Sequence, residues 1–411
     1  MKNNKLIKGF LEILKLCALG LMIGALGGLV GAVFFHMLSL VTCVREANTW
    51  LVFLSPVAGI ATVALYRISR MSDYGGTNEI IRCLEKKSPI RAIAAPLIFV
   101  STIITHLFGG SAGREGAAIQ LGGAGASAIS DVLKLRDDER SVFIMSGMSA
   151  VFAGVFGTPL TAAFFVLEFK SGKKLFSLAA LPCFISSVIA GKISSLMGVA
   201  EETVHLNADT SLTFITVVKI LALCVGLALL GMIMCFVFHK SEHLAKRFIS
   251  NPFIRIVSGS AVIIALTLAV GDMRYNGAGM HMALEAVDGK ADWFDFALKM
   301  LFTAITLAAG FKGGEIVPTF CIGATFGCIL GNALGLDAGF AAVLGLVGLF
   351  ACVTNSLLGA IFLGVELFGI SALPYFILVC VVIWPLSTNK GLFHNRFFKS
   401  PIFKRINTCS I

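Results

Sequence analysis

The sequence predicts an all-α, polytopic membrane protein built from two related halves, for three reasons. Of its 411 residues, 57% are hydrophobic and 14% charged, and the mean hydropathy is +0.90, a balance that belongs to chains embedded in lipid. The apolar residues gather into uncharged runs of membrane length. A signature also recurs 200 positions apart: Gly113, Glu115, Gly123 and Ala124 answer to Gly313, Glu315, Gly323 and Ala324. About fifty residues after each copy a carboxylate closes an apolar run, Glu168 after Phe164-Phe165-Val166-Leu167 and Glu366 after Phe362-Leu363-Gly364-Val365. Paired, interrupted hydrophobic segments in corresponding places of two halves point to a transport site where the repeats meet.

The uncharged runs are 16–44, 49–66, 92–113, 141–167, 175–191, 220–239, 256–271, 316–336, 338–365 and 367–389. Lys2, Lys5 and Lys8 before the first run resemble a signal peptide, but the run is longer than a cleavable core and reads as the first membrane helix. A bilayer-spanning helix needs roughly twenty residues, so 16–44, 141–167 and 338–365 are each expected to hold a turn or two helices. The short runs 117–130 and 300–311 are expected to enter the membrane part-way. Residues 1–205 form the first half and 206–411 the second, which ends in a short cytoplasmic helix. Basic residues cluster at both ends, in Lys2, Lys5 and Lys8 and in Lys390, Arg396, Lys399, Lys404 and Arg405, which sets both termini in the cytoplasm of a multi-pass cell-membrane protein. The acidic stretch 201–209 between the halves is expected outside.

Composition also excludes several classes. The net charge of +10 is spread over the flanks of apolar runs and the termini and forms no nucleic-acid face. Most of the eleven cysteines lie within apolar stretches without a Cys-x-x-Cys pair, and read as small reduced hydrophobes. The seven histidines show no ligand spacing, so no metal site is expected. The 43 glycines mostly sit beside small residues, as in Gly20-x-x-x-Gly24, and read as close helix packing. The 34 phenylalanines read as lipid-facing or core.

The chemistry concentrates in three Gly-rich turns that precede helical stretches: Tyr74-Gly75-Gly76-Thr77-Asn78, Gly109 to Gly116, and Gly310 to Pro318. A helix N-terminus carries unpaired N–H groups and a partial positive charge, and glycines let an anion approach those amides directly. Pro318 fits a first helical turn, where its missing N–H costs nothing, so that helix begins near Ile316. No turn ends in Gly-Lys-Ser/Thr or follows a strand, so no nucleotide is expected. Glu115 is the most informative residue. A carboxylate at a helix start between apolar runs is expensive to bury and therefore functional by default. It either caps its helix or pairs with Arg114, or it occupies an anion site as a built-in competitor that leaves when protonated or displaced. Glu315 reads equally as a neighbour of a helix cap or as a second titrating carboxylate.

At these residues the chain resembles the CLC family of chloride channels and anion/proton antiporters. Gly113-Arg114-Glu115-Gly116 matches the family's Gly-Arg-Glu-Gly-Pro signature with Ala117 in place of proline, and Gly314-Glu315-Ile316-Val317-Pro318 resembles its Gly-x-Phe-x-Pro signature. The resemblance implies a CLC-type inverted repeat with broken and tilted helices, a homodimer in lipid with one pathway per subunit, and a transported halide in place of a cofactor. It implies that Glu115 is the gate and proton carrier, that Gly113, Arg114 and Gly116 surround an outer anion, and that Gly314, Glu315, Ile316 and Val317 face a central one. Gly75, beside Gly76, stands where the family has a serine. Phe393 stands where many members have an inner tyrosine, and Phe169, after Glu168, stands where chloride/proton antiporters have an internal glutamate. The run from Thr105 to Gly116 together with Glu315 is similar to the fluoride-exporting branch, although Ala117 and Val317 replace threonines expected there. Glu168 and Glu366 remain either proton-path groups or helix-end carboxylates. No enzyme constellation is present: Ser111 and His106, the nearest candidates beside Glu115, read as a turn residue and a buried packing residue. The function expected is therefore halide transport, of chloride or fluoride, exchanged for protons, with passive chloride conduction as the alternative and an intramembrane enzyme as a remote one.

Overall fold

A computed structural model describes residues 2–86, 88–169, 173–199, 213–387 and 391–393 of the chain. The acidic stretch 201–209, Lys390 and the basic C-terminal residues lie outside these, as does the expected C-terminal helix. The described residues form sixteen α-helices and two short 3-10 helices, and their one β-type pairing is a bridge between Gly113 and Gly314. Seven helices are long and apolar enough to cross a membrane.

The first helix, α1 (Lys2–Ala47), runs 46 residues without a break. The turn expected within 16–44 is absent. No proline interrupts the run, and its glycines form a smooth face: Gly20, Gly24 and Gly28 rest on Pro182, Ser186 and Ala190, and Gly27 rests on Ala150. At 1.5 Å per residue α1 is about 69 Å long, more than a bilayer core of about 30 Å, so it crosses at a tilt or projects beyond it. Its opposite ends carry separate charged clusters. Near the start, Lys15 pairs with Glu139 at 2.7 Å and Arg136 with Glu12 at 2.6 Å; near the end, Arg45 pairs with Glu46 at 3.2 Å.

After α2 (Ser55–Ile68) and α3 (Thr77–Lys86), four helices of the first half have partners in the second. These are α4 (Ala94–Leu107) with α12 (Asp295–Ala309), α5 (Glu115–Val132) with α13 (Ile316–Ala333), α6 (Asp137–Phe156) with α14 (Ala338–Thr354), and α7 (Pro159–Leu167) with α15 (Leu357–Phe368). The breaks expected within 141–167 and 338–365 are both present. Gly157 (φ 74°) and Asn355 (φ 53°) take the left-handed conformation that ends a helix. The helices α8 (Lys173–Leu196), α9 (Phe214–Phe248), α10 (Pro252–Val270), α11 (Met280–Val287) and α16 (Leu373–Leu386) complete the chain. Large apolar side chains on α1, α8 and α9, such as Leu40, Leu181 and Phe236, are exposed, as a lipid-facing surface requires.

The halves are fastened by an exchange of carboxylates. Glu168, at the end of α7, accepts from the backbone N–H groups of Leu357 (3.1 Å) and Leu358 (2.8 Å) at the start of α15, and from the Ser356 hydroxyl. Glu366, near the end of α15, accepts from the N–H groups of Leu160 (2.7 Å) and Thr161 (2.8 Å) at the start of α7, and from the Thr161 hydroxyl (2.6 Å). Each short helix thus carries the cap of the other. Between them Phe164 and Phe362 stack with ring centroids 4.4 Å apart and planes at 3°, as residues do when a two-fold axis passes between them.

Candidate functional site

The two Gly-rich turns bind one another. The N–H of Gly113 donates to the carbonyl of Gly314 and the N–H of Gly314 to the carbonyl of Gly113, both at 2.7 Å, so the backbone polar groups of a non-helical stretch are satisfied inside protein. The approach requires glycine: a Cβ on Gly314 would lie 2.6 Å from the Gly116 nitrogen, and one on Gly116 would lie 2.8 Å from the Gly314 Cα. The bridge also brings the N-termini of α5 and α13 together.

This pairing corrects the repeat register. Helices α5 and α13 are both 18 residues long, and their N-cap residues are Arg114 (φ −100°, ψ −25°) and Glu315 (φ −101°, ψ −9°). The structural offset is therefore 201 residues and not 200. Glu115 corresponds to Ile316, and Glu315 to Arg114. The Gly and Ala matches 200 positions apart arise because small residues are dense in both turns and both helices, whereas backbone geometry fixes the true register and leaves the Glu115–Glu315 match without a structural counterpart. The two glutamates accordingly occupy different positions in their helices.

Glu115 opens α5 and is fully buried. Its carboxylate turns back on the helix entrance: Oε2 accepts from the Arg114 N–H at 3.1 Å and Oε1 from Arg114 Nε at 3.2 Å. The guanidinium is positioned over the Phe35 ring of α1, 4.7 Å from its centroid. The carboxylate thus pairs with Arg114, as the first reading of the sequence expects, and lies on a main-chain donor at a helix N-terminus.

Two cavities flank this point. One, of about 240 Å³, lies at the C-terminal end of α1 and is lined in part by Arg45, His106, Arg114, His281 and Val317. The other, of about 670 Å³, is lined by Gly75, Gly76, Gly116, Gln120, Gly314, Glu315 and Phe393 among others. Arg114 and Val317 thus face one cavity, while Gly116 and Glu315, one residue from Glu115 and Ile316, face the other. Gly113, Glu115 and Ile316 are buried, and neither cavity's lining includes them.

Phe393 closes one end of a column of rings. It meets Phe169 at 5.6 Å and Phe165 at 6.1 Å, and the contacts continue through Phe350 and Phe320 to Phe156. Phe169 is therefore packing in this column, while Glu168 beside it is turned onto α15. Neither lines either of these two cavities. Among the described residues no cluster of His, Cys, Asp and Glu suits a metal ion.

Sequence reasoning missed several residues on or behind the two walls. Gln120, in the second turn of α5, donates through Nε2 to Thr77 Oγ1 at 3.2 Å and sits beside Gly76; its signal was a lone amide in an otherwise small and apolar helix. Lys312 lies in the third turn with its ammonium 4.6 Å from the Tyr66 ring centroid. Lys299 is fully buried and donates to Ser111 Oγ (3.0 Å) and to the carbonyls of Tyr275 (3.0 Å) and Gly277 (2.8 Å). It escaped notice because it directly precedes the run 300–311 and looked like its polar boundary.

The geometry has parallels in known proteins. The model of the voltage gated chloride channel family matches residues 57–383. A chloride/fluoride channel protein of Pseudomonas syringae pv. tomato is 33% identical over 391 residues, 93% of this chain and 86% of its own. A voltage-gated ClC-type chloride channel, ClcB, of Salmonella dublin is 24% identical over 413 residues, 92% of this chain and 96% of its own. Among solved structures, a CLC-type fluoride/proton antiporter superposes with a TM-score of 0.87 at 32% identity, over 92% of this chain and 98% of that one. A slow cyanobacterial Cl−/H+ antiporter shares the fold, with a TM-score of 0.74 at 18% identity. With an inverted pair of broken helices, a carboxylate held between two cavities and these matches along most of its length, the chain belongs to the CLC family, whose members are ion channels and transporters and not enzymes.

Proposed function

We propose that this protein carries a halide, chloride or fluoride, through each subunit of a membrane homodimer in exchange for protons, with Glu115 as both gate and proton carrier. The observation that carries the reading is the Glu115 carboxylate, buried between two cavities and held by a backbone N–H and a guanidinium. Such donors accept a halide as readily as a carboxylate. Protonation cancels the carboxylate's charge and weakens its hold on them, so an anion takes its place; deprotonation lets it return. One group thereby links a proton to an anion.

On the Phe393 side the hydroxyls are missing from Gly75 and Phe393, so an anion there relies on main-chain N–H groups and the Gln120 amide. Phe169 has no proton to offer; Glu315 lines that cavity with Asp73 and Glu242, and its position as the N-cap residue of α13 supports it as the group that receives one. The names of the relatives, a chloride/fluoride channel and a fluoride/proton antiporter, support both the ion class and the exchange. Both termini are assigned to the cytoplasm on their basic residues, which puts the Arg45 cavity outside. The word channel in the first relative's name favours passive conduction as the second reading.

Reconstitution in liposomes with fluoride and chloride electrodes separates the two. A proton gradient is expected to drive halide uphill, and Glu115→Gln is expected to reduce that coupling at least tenfold. Halide flux that runs only downhill and ignores the proton gradient would establish passive conduction, and no halide flux at all would refute transport.

A further inference from the structure

We infer that the cavity at the C-terminal end of α1 is a second site for a small inorganic anion, centred on Arg45 and separate from the place held by Glu115. Arg45 is 5% exposed. Its Nη1 donates to the His106 carbonyl at 3.3 Å and its Nη2 to Glu46 at 3.2 Å, but its Nε is buried without an acceptor. The Glu46 side chain is 62% exposed, so the one carboxylate on this buried cation is largely screened by water. The guanidinium lies on the cavity wall, and an anion in the cavity offsets a buried charge that Glu46 leaves largely uncompensated.

The surroundings add positive potential. Arg114 shares the cavity wall, with its Nε already committed to Glu115. Lys299 lies behind the 275–279 loop with its three donors on one hydroxyl and two carbonyls. Arg45 and Arg114 on the wall and Lys299 behind it thus face Glu115 and the exposed Glu46, while Arg274 beyond them is paired with Glu285 and Asp295. His106 also lines the cavity; its Nδ1 lies 2.9 Å from the Thr102 carbonyl, which can only accept, so Nδ1 carries the proton and the ring offers the cavity no competing charge. Gly277 (φ 68°) holds the loop directly against Arg45, its Cβ direction ending 3.0 Å from Cζ. A halide-sized ion with a few waters fits the 240 Å³ available. On the transport reading, from which the choice of ion follows, this is a waiting position that raises the local anion concentration beside Glu115.

Calorimetric titration of the detergent-purified protein with sodium fluoride and with sodium chloride tests the site without using flux. Arg45→Gln is expected to weaken one anion-binding event at least tenfold, while Glu115→Gln retains that event. Arg45→Lys, which keeps the charge but not the planar fork of donors, is expected to fall between, and thermal melting reports whether each variant is folded. If Arg45→Gln does not fold, Gly277→Ala, which crowds the guanidinium, replaces it. Folded Arg45 and Gly277 variants with the wild-type isotherm overturn the inference. Loss of binding in Arg45→Gln alongside a wild type that moves no halide would uphold the site and refute transport.

Discussion

At the scale of single residues, the site rests on a few atoms with no spare room. Glu115 is informative because its carboxylate is buried against a main-chain donor, and not merely because it is acidic. Its counterpart in the second half is the apolar Ile316, so the repeat supplies two helix N-termini but only one carboxylate at this position. Gly314 matters for the opposite reason, because any side chain there collides with the Gly116 backbone. Gly314→Ala is expected to separate the Gly113–Gly314 bridge and reduce halide flux more than tenfold while the protein still purifies as a folded membrane protein. Liposome flux read beside the melting temperature checks this. Undiminished flux would mean that the bridge is not needed to hold the helix ends. The glutamate and the glycines could be read from sequence, since their residue types are rare or costly in such places. Arg45 and Gln120 could not be assigned, since nothing in the chain says which cavity a charged or amide side chain will reach.

Among the helices, the decisive arrangement is the exchange of caps between α7 and α15. Glu168 and Glu366 were legible as a pair, because both end an apolar run at corresponding places. That each serves the helix of the other half was not, since partners about 190 to 206 residues away in sequence are set by packing. A buried carboxylate on two or more N–H groups contributes about 1–2 kcal/mol through its hydrogen bonds and the helix dipole, and its removal leaves those N–H groups unpaired. Glu168→Ala is expected to lower stability by about 2–3 kcal/mol, and Glu366→Ala by less, because Glu366 is only half-buried. Chemical denaturation in detergent measures the difference. Equal, negligible losses would show that the caps are incidental to the fold.

For the whole molecule, residues 1–205 and 206–411 hold one another through a few specific contacts. The backbone bridge, the reciprocal caps and the Phe164–Phe362 stack all join residues of 1–205 to residues of 206–411. Each half alone leaves a helix end and a broken turn without partners, a heavy cost in lipid. Expressed singly, residues 1–205 or 206–411 are expected to be degraded; expressed together, they are expected to reassemble and restore flux. Size-exclusion chromatography of the co-expressed pieces reads this directly, and a stable single half would contradict it.

Hydropathy, the rarity of buried carboxylates and the glycine-rich turns were enough to establish a duplicated helical membrane protein and to single out its helix starts as the place to propose an anion site, because lipid penalises unpaired polar groups so heavily that few sequences of this composition have another solution. The one-residue shift in the repeat register, the unbroken α1, the side of the barrier each turn residue faces and the cations around the Arg45 cavity were settled only by folding. They depend on close approaches between segments far apart in the chain, and spacing along a sequence holds no record of such distances.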